Sequence, residues 1–156
     1  MTAGLHRDFL QLGVTNGLVS PGGVTMLGSP VDLGLVDYDS YIIAGITDHI
    51  CPWQSCYRTT QLLAGRNRFV LSTSGHIAAM VNPPGNEKAR FQVAKESPED
   101  PQEWLRHAET CHGSWWPDYA GWLAERCGDE KAAPDETGGA GLVPICDAPG
   151  TYVYDH

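Results

Sequence analysis

A chain of 156 residues, 42% hydrophobic and 19% charged with 18 Gly and 11 Pro, has the size and composition of one globular domain. It excludes a coiled coil, a collagen-like repeat and a wholly disordered chain. The net charge of −9 arises wholly in residues 93–156, where thirteen acids meet four bases; over residues 1–92 six acids balance six bases. Such a surface repels a phosphate backbone and offers no basic stripe, so no nucleic-acid partner is expected. No apolar run approaches the roughly 18 residues that a transmembrane helix needs. Met1–Asp8 has no basic segment leading into an apolar stretch, which predicts a cytoplasmic protein. Five cysteines (Cys51, Cys56, Cys111, Cys127, Cys146) are an odd number and read as free thiols.

Taken in order, residues 1–20 predict a short amphipathic helix and a loop, and Pro21-Gly22-Gly23 a turn. Val24–Leu27 predicts a brief β segment ended by Gly28-Ser29-Pro30. Tyr41–Ile46 is a nearly continuous apolar run, the pattern of a strand buried on both faces in a parallel sheet. Thr47-Asp48 closes it. Trp53, Tyr57, Thr60, Leu63 and Ala64 recur at helical spacing, predicting one helix over 52–64 that ends at Gly65. Phe69–Ser72 predicts a second strand, followed by Thr73-Ser74-Gly75-His76. Beyond this βαβ unit, Asn82-Pro83-Pro84-Gly85 reads as a rigid turn and Ser97–Pro101 as a polar connector. Trp115-Trp116-Pro117 opens a last helix with Tyr119, Trp122 and Leu123 on one side. Residues 129–141, rich in Gly and acids, predict a mobile loop, and Thr151–Tyr154 a closing strand. Two strands and about three helices form an α/β arrangement with an incomplete, mostly parallel sheet. Its uncovered edges predict that the isolated chain aggregates.

Chemistry concentrates at the C-terminal ends of the two long strands, where ligands bind in open α/β sheets. Asp48 and His76 stand just past those ends, 28 residues apart. An acid followed by a histidine is the order in which the last two members of an α/β-hydrolase triad occur. There the acid fixes the imidazole tautomer, and the histidine takes the nucleophile's proton. The plainer alternative is that Asp48 caps the following helix and His76 is an ordinary loop histidine. His49, Cys51, Cys56, Cys111 and His112 contain no CxxC or HxxxH pair, so no metal and no other cofactor is expected.

Longer words carry more. Asp48-His49-Ile50-Cys51-Pro52-Trp53 and Arg68–Thr73 running into Ser74-Gly75-His76-Ile77-Ala78-Ala79-Met80-Val81-Asn82-Pro83-Pro84 resemble the C-terminal signatures of class I/II poly(3-hydroxyalkanoate) synthases. Those signatures read D-H-I-x-P-W and F-V-L-x-x-S-G-H-I-A-x-x-x-N-P-P. The resemblance extends upstream through Pro21–Gly34 and downstream through Gly113–Tyr119 and Trp122-Leu123, weakening only in 129–148. It implies an α/β-hydrolase-like fold, with residues 1–128 the C-terminal part of the catalytic domain and 129–156 a loop and terminal strand of the same domain. It implies polymerisation of (R)-3-hydroxyacyl-CoA into polyester with release of CoA. The growing chain would be a thioester on a cysteine of a G-x-C-x-G elbow. His76 matches the catalytic base of the family. Asp48 matches the acid that orients it or activates the incoming hydroxyl. The implied partners are the acyl-CoA, the polyester and another synthase chain, at a polyester granule surface in the cytoplasm.

The chain departs from the family in one respect: none of its five cysteines stands in G-x-C-x-G. Alone it is therefore expected to be inactive, working only when the missing half is supplied. The alternative is a non-catalytic protein that binds granules or a synthase. A third reading makes Ser74 the nucleophile of a different hydrolase. Cys51 occupies a variable family position and reads as a small packed thiol. Cys56 and Trp53 read as core. His49 reads as a histidine behind the site. Asn82 reads as a residue that fixes the loop after His76 through a side-chain-to-backbone bond. Trp115 and Trp116 suit either a cover for the sheet or a partner-facing surface.

Overall fold

The first helix, α1 (Ala3–Thr15), starts where the Thr2 hydroxyl accepts the Leu5 N–H and ends where Asn16 turns left-handed. None of its residues is buried. The computed structural model describes residues 1–135, 138–139 and 141–155. They divide into two compact units, Met1–Leu123 and Ala124–His156. Val24–Met26 (β1) is followed at once by Ser29–Val31 (β2), and the two pair antiparallel around Leu27-Gly28. The Gly28-Ser29-Pro30 stretch expected to end a lone strand thus supplies its partner. Pro30 is tolerated because this ribbon has only two strands, leaving each with an unpaired side.

Ser40–Gly45 (β3) and Asn67–Ser72 (β4) pair in parallel, with Ser40 opposite Asn67 and Gly45 opposite Ser72. The crossover is helical but broken: Trp53–Tyr57 (α2) and Thr59–Leu62 (α3) meet at Arg58. The single helix expected over 52–64 is interrupted where β-branched Thr59 and Thr60 follow, residues that lose side-chain freedom inside a helix. Gly65 has a different task from the expected cap. A methyl group there would overlap the Tyr38 carbonyl, while Ala64 and Gly65 both donate their N–H groups to Val36.

The sheet then departs from expectation. Arg90–Val93 (β5) runs antiparallel to β4, and Glu109–His112 (β6) antiparallel to β5. The order is β3-β4-β5-β6, so the sheet is mixed, with one parallel and two antiparallel pairings, and not mostly parallel. Ala78–Val81 (α4) follows β4, and Pro101–His107 (α5) joins β5 to β6, capped by Asp100. Trp116–Ala124 (α6) is the expected last helix.

Side-chain packing follows the layers. On one face Trp53, Tyr57, Phe69, Leu71 and Trp104 bury together, the Phe69 ring edge-on to Tyr57 and Trp104. On the other, Val70, Phe91 and Trp115 form a smaller core joined by Tyr41 and Tyr119. The Arg68 guanidinium grips the Asp118 carboxylate with two N–H donors, and the Tyr41 hydroxyl donates to it at 2.7 Å, fixing α6 to the sheet. β4 is almost wholly buried, but β3 is buried only at Ala44 and Gly45. With one neighbouring strand among the described residues, β3 does not become the doubly covered strand its apolar run predicts.

The second unit is mostly irregular, with an isolated bridge between Gly139 and Leu142. Tyr152–Tyr154 forms a single 3₁₀ turn, not the expected closing strand. Of the stretch 129–141, Glu136, Thr137 and Ala140 lie outside the described residues. Among the described residues no helix is long and apolar enough to cross a membrane.

Candidate active site

The parallel pair brings the two predicted side chains together. Ile46 N–H donates to Ser72 and Thr47 N–H to Ser74, which ties the loop after β3 to the loop after β4. A side chain at Gly45 would come within 2.9 Å of both the Ala79 methyl and the Ser74 carbonyl oxygen, so the approach depends on glycine. Ser74 holds φ +84° before Gly75 and turns the chain toward the Asp48 loop.

In this setting Asp48 Oδ2 lies 2.8 Å from His76 Nδ1. Asp48 Oδ1 accepts the backbone N–H groups of Ile50 and Cys51, each at 2.9 Å. The Cys51 N–H, aided by His76 and Ile50, holds the carboxyl below its usual range against the opposing effect of desolvation. The plainer alternative does not hold: the N-cap of α2 is Pro52, with no side-chain cap bond, and His76 is paired with Asp48. Asp48 holds the turn before α2, and with its other oxygen it orients His76. An ionised carboxylate can only accept, so the Nδ1 position carries the proton and Nε2 is the basic nitrogen. The Asp48 side chain is 6% exposed and that of His76 44%, an arrangement in which a sheltered acid supports a reachable base.

The loop that carries His76 is held from behind. Asn82 is 3% exposed; its Nδ2 donates to Ser72 Oγ at 3.1 Å, and its Oδ1 accepts from Asn86. Its side chain bonds to other side chains, not to the backbone as expected. Its carbonyl is the acceptor for Ser114 Oγ. The indole N–H groups of Trp115 and Trp116 donate to the Ala79 and Val81 carbonyls at 2.9 and 3.0 Å, closing the C-terminal end of α4. Trp115 is buried under the sheet, whereas Trp116 stacks on it and is 41% exposed.

Other expectations divide. Trp53 is core, and Cys56 packs against that core, with burial pushing its thiol pKa up. His49 is exposed and is not among the groups that hold Asp48 or His76. Cys51 is exposed, not packed as expected: it stands in the tight turn that Asp48 holds through the Cys51 N–H. Its sulfur joins Asp48 and His76 in a cluster whose donor atoms lie within 4.8 Å of one another. Ser72, Ser114 and Gly45 were not singled out by their sequence context. Ser114 and Asn82 stand 32 residues apart, and no local spacing reports such a bond.

No protein-family model matches the chain. Among curated proteins, it is 44% identical over 153 residues to poly(3-hydroxyalkanoate) polymerase 2 of Ectopseudomonas oleovorans, covering 98% of this chain and 27% of that protein. It is 47% identical over 149 residues to poly(3-hydroxyalkanoate) polymerase subunit PhaC of Cupriavidus necator, covering 96% and 25%. With the subunit PhaC of Rhizobium meliloti it shares 36% identity over 153 residues, covering 98% and 25%. The chain thus spans about a quarter of the length of the curated relatives it matches.

Proposed function

Because the chain belongs to the poly(3-hydroxyalkanoate) polymerase family as the counterpart of one C-terminal segment of its members, we propose that it supplies the acid–base half of a polyester polymerase site. The observation that carries this reading is the 2.8 Å contact between Asp48 and His76 at the ends of two parallel strands. In it, His76 Nε2 takes the proton of a cysteine thiol, and Asp48 stabilises the imidazolium that results. The thiolate attacks the thioester carbon of an (R)-3-hydroxyacyl-CoA; the acyl–sulfur bond of the substrate breaks, and His76 returns the proton to the departing CoA thiolate. The hydroxyl of the bound hydroxyacyl unit, deprotonated at the same imidazole, then attacks the thioester carbon of a second hydroxyacyl-CoA. The acyl–sulfur bond breaks, CoA leaves with the proton returned by His76, and the chain is longer by one ester. Thioester exchange between two thiols is close to balanced, so the work of the base is to make the nucleophile.

None of the five cysteines here stands in a G-x-C-x-G elbow, so the attacking thiol belongs to a segment outside these 156 residues. The complete domain in this reading is α/β-hydrolase-like and works at the surface of a cytoplasmic polyester granule. The test is a chimera in which this chain replaces the matching segment of the Cupriavidus necator relative. Release of CoA from 3-hydroxybutyryl-CoA is expected. His76→Ala should lower that rate by about 10²–10⁴-fold, the usual worth of a positioned general base. Asp48→Asn should lower it with little change in KM. A chimera that folds and turns over equally well without His76 overturns the reading.

A second reading, a non-catalytic protein that binds granules or a synthase, draws on the apolar residues α1 leaves exposed, among them Phe9 and Val14. It predicts granule association that His76→Ala leaves unchanged.

A further inference from the structure

Around the Asp48–His76 pair the structure gathers a third group that the polymerase reading does not use. Cys51 Sγ, a carboxylate oxygen of Asp48 and a ring nitrogen of His76 lie within 4.8 Å of one another. These are one soft and two borderline-to-hard donors of the kinds that hold zinc. Tetrahedral bonds of about 2.0–2.3 Å place neighbouring donors roughly 3.3–3.7 Å apart, so the cluster needs to contract by about an ångström at its widest. The parts that must stay still do so. Asp48 is clamped through Oδ1 by two backbone N–H groups, one of them that of Cys51 itself, so acid and thiol belong to one tight turn. His76 approaches from the second loop, stitched to the first by the bond from Thr47 to Ser74. The parts that must move are on the surface: Cys51 is exposed, and the His76 side chain is nearly half exposed.

We propose that Asp48, Cys51 and His76 form a three-donor site for Zn²⁺ or a similar borderline divalent cation, with the fourth position open to water or an added thiol. Binding replaces the Cys51 thiol proton, which is released to solvent, and uses an unprotonated nitrogen of the imidazole that otherwise serves as base. Ligation through Nδ1 moves the proton now directed at Asp48 to Nε2, so the ring stays neutral. No electron transfer is involved. The site stands independently of the polymerase reading, since it needs only these three side chains. If both hold, Zn²⁺ is an inhibitor of the assembled enzyme that acts through Cys51.

The experiment is titration of the full 156-residue chain, reduced and metal-free, with Co²⁺ as a spectroscopic probe, followed by displacement with Zn²⁺. One Co²⁺ per chain is expected, with a thiolate-to-cobalt charge-transfer band in the near ultraviolet and visible bands of tetrahedral intensity. Cys51→Ser and Cys51→Val should abolish the charge-transfer band. Each, like His76→Ala, should weaken Zn²⁺ binding by at least about tenfold, the least that losing even an outer partner of a metal site costs. A Cys127→Ser/Cys146→Ser variant, which leaves the cluster intact, should keep the band. Survival of the band in Cys51→Ser, its loss in the Cys127/Cys146 variant, or no band in the folded parent chain overturns the proposal. The catalytic role of His76 is read separately in the chimera, where Cys51→Val should leave CoA release in place and reduce its sensitivity to Zn²⁺.

Discussion

At the scale of single residues, Asp48 divides its two oxygens between a turn and a histidine, and its acidity records both. Its carboxyl lies below the value near 3.9 of an unfolded chain, so the ionised form favours the fold. That contribution is complete above about pH 5, a unit beyond the unfolded value, and disappears as pH falls through the lowered folded value. Urea unfolding of wild type and Asp48→Asn should therefore differ most at pH 6–8, and the difference should shrink below pH 4. A gap that widens toward acid would contradict this. Asn82 makes a different kind of prediction. Asn82→Ala removes the donor to Ser72 Oγ and the acceptor of Asn86 inside a buried site. It should cost about 1–3 kcal/mol of stability, readable by the same denaturation. Asp48 and His76 were legible in the sequence because each carries chemistry and stands where an apolar run stops. Asn82 was legible as a residue that fixes the loop after His76, but with a backbone partner in place of its side-chain ones. Its side chain bonds to Ser72 and Asn86, and its carbonyl accepts from Ser114 in the β6–α6 loop; bonds that span ten and 32 residues leave no periodicity to read.

At the scale of elements, legibility followed burial. β4 is buried along most of its length and announces itself as Phe69–Ser72, whereas β6 reads Glu109-Thr110-Cys111-His112, a polar strand at the sheet's end with only Cys111 half-buried. A strand with so little to bury carries no hydrophobic pattern, and without it β5 had no second neighbour; both were missed, and with them the mixed character of the sheet. The helical crossover was found by its spacing, but the break at Arg58 was not. Glycines separate backbone approach from helix propensity here. Gly65→Ala drives a methyl group into the Tyr38 carbonyl and should destabilise by about 1–3 kcal/mol as the crossover shifts. Gly121→Ala, inside α6 with nothing near the added methyl, should stabilise by about 0.5–1 kcal/mol. Melting temperatures of the two variants moving in the same direction would refute this distinction.

At the scale of the whole molecule, the hydrophobic surface is poorly shared between inside and outside. Two modest aromatic cores flank the sheet, yet α1 buries none of its residues, and Leu5, Phe9, Leu10 and Val14 are between 55% and 86% exposed. Between α1 and the β1–β2 ribbon runs a groove of about 730 Å³ lined by Leu5, Phe9, Leu12, Val24, Met26 and Leu27. Among the described residues β3, nearly all of it apolar, has a hydrogen-bonded neighbour on one side only. Apolar patches and unpaired strand edges of this kind drive chains to one another when no other surface covers them. The chain by itself should therefore self-associate, with a weight-average mass in sedimentation velocity that rises over the micromolar range. Phe9→Lys puts a charge at the centre of the exposed face. It should lower the association markedly while changing the stability of the chain by no more than about 0.5 kcal/mol, as befits a surface position. The two readouts separate a sticky surface from a weak fold. If association persists in Phe9→Lys and tracks the unfolding temperature instead, its source is loss of structure at the sheet edge and not the face of α1. A concentration-independent monomer with one sharp unfolding transition would show that these surfaces are tolerated in water as they stand. It would also remove the physical reason for expecting this segment to need a larger polymerase domain around it.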